Sequence, residues 1–161
     1  MPTADQLIHA YNTMLTRLHL MLDEESNTVK QALTHAQKTA VELSELSHDE
    51  AEKIAAYLKR DLQDAARYLT ETEKELADWL QFDIHQIEDT LLDRFISVAD
   101  QTRLEWSQLG QAAAGFYQAG EVAGPGTLIC QQCSTTQAFK SAHHIQPCGH
   151  CQHDLFRRIE A

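Results

Sequence analysis

From Asp5 to about Leu43, apolar residues recur at alternating spacings of three and four. Ile8, Tyr11, Leu15, Leu18, Leu22, Val29, Ala32 and Ala36 trace one stripe, the seam of a packed or coiled helix. Glu25 and Thr28 interrupt the stripe, but no Gly or Pro breaks it, so one helix is expected over the segment. Ser47 followed by Glu50 is a capping box, in which each side chain satisfies a backbone N–H that a helix start leaves free. Asp49 and Glu50 also suit the positive end of a helix dipole. The first helix should therefore end near Ser44 to Ser47. The short connection predicts an antiparallel return.

A second stripe follows: Ile54, Leu58, Leu62, Ala65, Leu69, Leu76 and Trp79. The pattern resumes at Ile84, Ile87, Leu91, Phe95 and Val98 and leaves open whether the helix bends near Gln81 to Asp83. Asp100 or Thr102 can cap a further helix carrying Leu104, Trp106 and Leu109, with Gly115 as its stop. After Gly115 the period changes. Phe116 to Ala123 reads as extended, Gly124-Pro125-Gly126 as turn chemistry, and Leu155 to Ile159 as a closing strand. The expected fold is mainly α: a long acidic helical hairpin or bundle, coiled-coil-like, over residues 1–114, and a small β module over 115–161. A two-helix hairpin leaves an apolar stripe that needs a cover, and self-association is one way to supply it.

Charge sharpens this division. The chain of 161 residues has a formal net charge of −11. Up to Thr127 there are 10 basic against 22 acidic side chains, and beyond it 3 against 2. An acidic surface repels phosphate backbones, so the helical part is a poor partner for nucleic acid. The near-neutral module keeps weak nucleic-acid binding as an alternative, although Lys140, Arg157 and Arg158 make a sparse basic patch. No apolar run approaches a membrane span. The start, Met-Pro-Thr-Ala-Asp-Gln, lacks the basic and apolar regions of a signal peptide, and a cytoplasmic location is expected.

The cysteines carry the chemistry. None occurs before Cys130. Then come Cys130-Gln131-Gln132-Cys133, fourteen residues, and Cys148-Gly149-His150-Cys151. Two C-x₂-C turns at this separation fit one tetrahedral metal, with two thiolates offered by each tight loop. Thiolates suit zinc, and four of them leave no open position, which makes the ion structural and its binding part of the module's folding energy. A mononuclear iron is the alternative. His143, His144, His150 and His153 lie nearby and are read as surface or supporting groups, since four thiols already complete the set.

The stretch Gly115-Phe-Tyr-Gln-Ala-Gly-Glu-Val-Ala-Gly-Pro-Gly-Thr-Leu-Ile-Cys-Gln-Gln-Cys133 resembles the entry to the zinc ribbon of the bacterial YbeL-like proteins. Asp100-Gln-Thr-Arg-Leu-Glu-Trp106 before it, and Cys148-Gly-His-Cys-Gln-His-Asp-Leu-Phe-Arg157 after it, are similar to the same family. The first hundred residues match it in layout alone. The resemblance implies a helical region followed by a zinc ribbon with the four cysteines as ligands, and it implies no activity. Ribbons often place Gly directly after the second cysteine of a knuckle; here Ser134 and Gln152 stand there, and a positive φ would strain Gln152.

No P-loop, G-x-S-x-G, dinucleotide fingerprint or H-E-x-x-H motif is present, so an enzyme is not expected. The expected function is that of a zinc-binding adaptor acting on an unidentified protein partner. Phe139, Phe156, Arg157 and Arg158 are candidate rim residues, although Phe156 also suits a small core and the arginines suit solvated strand ends. The alternative is a transcription-associated factor that contacts RNA polymerase through an acidic coiled-coil tip at Leu43 to Glu50, with Glu45, Asp49 and Glu50. It rests on likeness of layout.

Overall fold

The computed structural model describes residues 3–22, 28–72, 95, 97–99, 116–139 and 141–158. Its helices are α1 (Ala4–Leu22), α2 (Val29–Glu42) and α3 (His48–Thr72). Each starts on a capping box. Thr3 and Gln6 bond each other's backbone N–H groups at 3.2 and 2.8 Å, Thr28 and Gln31 at 3.2 and 3.1 Å, and Ser47 and Glu50 at 3.2 and 3.3 Å. The box at Ser47 is where the sequence predicts it. The box at Thr28 corrects the expectation of one helix over residues 5–43: Thr28, with extended backbone, begins a second helix. Among the described residues, α1, α2 and α3 therefore pack against one another, where a long hairpin or bundle was expected.

α2 ends on Ser44, whose φ of 57° is left-handed. The N–H of Glu45 reaches back to the Ala40 carbonyl and that of Ser44 to the Val41 carbonyl, both at 3.0 Å. This pairing closes a helix end, usually with Gly at the left-handed position.

Tyr11, Leu15, Leu18, Val29, Ala32 and Ala36 of the first stripe are buried, as are Ile54, Leu58, Leu62 and Ala65 of the second. They share one core with Phe95, Val98, Val122 and Ala142. Each fully buried leucine or isoleucine contributes about 1.5–3 kcal/mol. The stripe is thus covered from within the chain. Leu69, Leu76 and Trp79, the question of a bend at 81–83, the capped segment after Asp100 and the 114/115 boundary lie outside the residues whose packing is described.

The C-terminal part holds β1 (Phe116–Gln118), β2 (Val122–Ala123), β3 (Gly126–Cys130), β4 (Thr136–Phe139), β5 (His143–His144) and β6 (Leu155–Arg158). β1, β6, β3 and β4 form one antiparallel sheet in that order, and β2 pairs with β5. The expected closing strand is β6, which lies between β1 and β3 with Phe156 opposite both Tyr117 and Cys130. A second, small core of Tyr117, Ala123, Leu128, Ile145 and Phe156 fills the space beside Cys130 and Cys148.

The ribbon is seated on the helices. Gly124, Pro125 and Gly126 are buried, so this segment is a contact and not a free turn. A Cβ on Gly124 would lie 2.7 Å from Tyr11 Oη and 3.1 Å from the Phe95 ring, so only glycine lets the chain pass this close.

Candidate metal centre

The two knuckles repeat one another bond for bond. The N–H of Cys130 donates to the Thr135 carbonyl and that of Cys148 to the His153 carbonyl, both at 2.9 Å. The N–H of Ser134 donates back to Cys130 O at 3.1 Å and that of Gln152 to Cys148 O at 2.9 Å. Ser134 (φ 63°) and Gln152 (φ 65°) are both left-handed, as expected for the residue after the second cysteine. β3 delivers Cys130, and the turn before β6 delivers Cys151.

All four Sγ atoms lie within 4.8 Å of one another. Cys130 and Cys151 approach to 3.5 Å and Cys133 and Cys148 to 3.6 Å, each pair crossing between knuckles. Zinc held at about 2.3 Å from four tetrahedral sulfurs sets them about 3.8 Å apart, so the thiols fit zinc without rearrangement. Cys130 and Cys148 are buried, while Cys133 and Cys151 are half-buried at the rim.

The closeness of the four sulfurs calls for a cation between them. Thr135 Oγ1 stands 3.0 Å from Cys133 Sγ and donates once the sulfur is a thiolate; with the Thr135 backbone it lowers that thiol to about 6. Backbone N–H groups of Cys151 and His150 lower Cys148. Cys151 receives a lowering backbone bond at His153, yet burial and the three other sulfurs push it up to about 12. Sulfurs this close cannot all be anionic without positive charge between them. None of the four histidines joins the set. His143 stacks on Phe139 with ring centroids 3.4 Å apart, and its Nε2 is buried without a partner among the described residues.

A second polar cluster lies where the ribbon meets the helices, and the sequence reading missed it. Arg158, expected at a solvated strand end, is buried. Its Nη2 donates to Asp61 Oδ1 at 3.1 Å, its Nε to Tyr117 Oη at 2.7 Å and its Nη1 to the Pro125 carbonyl at 2.8 Å. Asp61 also accepts from the Tyr11 hydroxyl and, at 2.8 Å, from the Gly124 N–H; the Tyr117 hydroxyl donates to Asp64. Arg60 stacks on the Tyr117 ring at 3.9 Å and bonds Glu121 at 2.7 Å and the Val122 carbonyl at 3.0 Å. Burial alone would raise the Asp61 carboxyl, but Arg60 and Arg158 outweigh it and hold the group below the usual range. Burial, foremost, lifts both phenols well above theirs, so they remain donors. Asp61 had a signal: it lies three residues from Leu58 and four from Ala65, on the buried stripe itself.

Of the other rim candidates, Phe156 is buried in the small core, Phe139 is half-buried and Arg157 is exposed. Glu45 is engaged by Arg17 in two bonds of 2.6 and 2.7 Å, which fasten the α2–α3 turn to α1, and Glu50 serves in its capping box. The cavity of about 590 Å³ beside this turn has Arg17, Glu45 and Glu50 among its walls, so most of its charge is already spent within the chain. His48, Asp49 and Glu52 also come together, at the exposed start of α3, where acidic groups suit the helix dipole on their own.

A family model described as a zinc-ribbon containing domain matches residues 16–160. The chain is 26% identical over 150 residues to the uncharacterized protein YbeL of Escherichia coli strain K12, covering 92% of each chain, and matches its counterpart in Escherichia coli O157:H7 to the same extent. No solved structure matches. Among the described residues, no helix is long and apolar enough to cross a membrane.

Proposed function

The chain belongs to the zinc-ribbon containing domain family and holds one structural zinc ion, and from that premise we propose that it is a protein-contact module whose binding surface is the knuckle face of the ribbon. One observation carries this reading. Across the whole chain 13 basic and 24 acidic side chains are spread over 161 residues, yet from Gly126 to His153 the only one is Lys140. The exposed residues around the metal are instead Gln131, Gln132, Ser134, Gln146, Pro147 and Gln152. Centres of protein interfaces are depleted in charge, because a buried charge must lose its water. Amides and hydroxyls keep such a face hydrated when free and bond a partner when covered. A set of four thiolates with no open metal position supports contact over catalysis.

The test is a photo-crosslinking amino acid placed in turn at Gln132, Gln152, Lys38 and Glu52, with zinc loaded and in the native cell. The reading expects one discrete protein adduct from the two ribbon positions and none from the helical pair. Equal adducts from all four sites, adducts to nucleic acid, or none at the ribbon would overturn it.

A further inference from the structure

β6 belongs to both cores at once. Phe156 and Arg158 are two residues apart and therefore point to the same face of the strand. Phe156 is buried with Cys130 and Cys148 beside the metal. Arg158 is buried against Asp61 of α3 and the Tyr117 hydroxyl. β3 ends in the ligand Cys130 and pairs with β6 through Cys130↔Phe156 and Leu128↔Arg158, so the knuckle fixes the register of the strand that carries the arginine.

We propose that zinc binding and the seating of the ribbon on α1 and α3 are one coupled equilibrium, joined through β6 and the Arg158–Asp61 pair. The Asp61 side of the network comes from the helices: Tyr11 from α1, and Arg60 and Asp64 from α3. The Arg158 side comes from the ribbon, with Tyr117, Glu121 and the Gly124 and Pro125 backbone. The two halves share their buried charges: Asp61 has Arg60 beside it on α3 at 3.5 Å and Arg158 from the ribbon at 3.1 Å, so separating the halves takes a cation away from it. A ribbon without metal lacks the closure that aligns β6, and an unaligned β6 withdraws Arg158 from Asp61. Loss of zinc then releases the ribbon and bares the helical face that Val122 and Ala142 cover. The metal centre so acts as a latch on the helical body. By reciprocity, damage to the Asp61 end must weaken zinc at the far end by the same factor.

Two measurements on the full chain test this. The first is zinc affinity by competition with a chromophoric chelator for the wild type, Asp61→Asn and Arg158→Met, with helicity checked by circular dichroism. The expected result is affinity weakened at least about tenfold, the ordinary scale of coupled sites, although neither residue is itself a ligand. The second needs no variant: amide hydrogen exchange of the wild type with and without zinc. Chelation should raise exchange in α1 and in α3 around Asp61 as well as in the knuckles. Zinc affinities within twofold of wild type in folded variants would overturn the proposal. So would α1 and α3 protection that does not change on metal removal, and this second arm decides the matter if the variants fail to fold.

Discussion

Arg158 Nη2 lies 3.1 Å from Asp61 Oδ1, joining the last described strand to the middle of α3 across 97 residues of sequence. Both groups are buried, so the value of the pair lies in what happens when one half is removed. Burial has stripped each charge of water, and removing one leaves the other buried with fewer partners: Arg158 keeps Asp64 at 4.0 Å and Asp61 keeps Arg60 at 3.5 Å. Asp61→Ala should therefore cost about 3–5 kcal/mol. The double variant Asp61→Leu with Arg158→Met should recover a good part of that loss, because it removes both charges. Urea unfolding of the zinc-loaded proteins measures both. A double variant no better than the single would show that the other bonds of the network, to Tyr11, Tyr117 and Gly124, carry the stability.

The left-handed backbone at Ser134 and Gln152 gives a prediction of opposite sign. A residue with a Cβ costs about 1 kcal/mol in this region, while glycine enters it freely. The side chain of Gln152 is exposed. Gln152→Gly should raise the stability of the loaded ribbon by up to about 1 kcal/mol, since part of the gain is offset by the freer unfolded chain. Thermal unfolding at saturating zinc reads this directly, and a fall in midpoint would mean that the glutamine side chain contributes in a way the geometry does not reveal.

The knuckle backbone was legible in the sequence because everything that builds it is local: two cysteines, two residues between, and one left-handed residue after. The apolar stripes were legible for the same reason. Thr28 and Gln31 were equally local, but a 3–4 seam that resumes after its interruption at Glu25 and Thr28, with no Gly or Pro between, drowned the signal, since α1 and α2 both present apolar faces to one core. Thr28→Ala should cost about 1 kcal/mol, the ordinary worth of such a cap. The Arg158–Asp61 network was not legible. The place of Asp61 on the buried stripe could mark it as buried but not name its partner, and an arginine at a strand end reads as solvent-facing. Only the packing of two distant segments gives each its partner.

His143 makes stability depend on pH in a window whose upper part lies above the ordinary carboxylate titrations. Burial, chiefly, pushes its imidazole down to about 4, and its ring lies flat on Phe139. Between about pH 6.5, where an ordinary histidine titrates, and about 4, the unfolded chain takes up a proton that the folded chain refuses. This contribution to stability is fully present above that window and is lost as pH falls through it, at no more than about 1.4 kcal/mol per pH unit. His143→Gln removes the titration. The difference in unfolding free energy between wild type and variant should therefore shrink, in the wild type's disfavour, from about pH 7 to about pH 5.5, a span chosen from the ordinary histidine range to spare the zinc thiolates. Parallel pH profiles for the two proteins would show that the imidazole is protonated in the fold.

Thr135 is the group outside the four ligands with most to say about the metal. Its hydroxyl lies 3.0 Å from Cys133 Sγ, and its carbonyl holds the Cys130 N–H at 2.9 Å, so one residue bonds the sulfur of one cysteine of the first knuckle and the backbone of the other. Only the hydroxyl can be removed without touching the backbone. Thr135→Val keeps the β-branched shape in contact with the knuckle and deletes the donor, which leaves the Cys133 thiolate more basic and less favoured over its protonated form. Partners of this kind are worth roughly 10–100-fold in metal affinity. Thr135→Val should accordingly bind zinc at least about tenfold more weakly at neutral pH, and the deficit should narrow at higher pH, where the thiol ionises unaided. Thr135→Ser, which restores the donor, should return most of the affinity. A serine variant as weak as the valine one would assign the effect to packing of the threonine methyl instead.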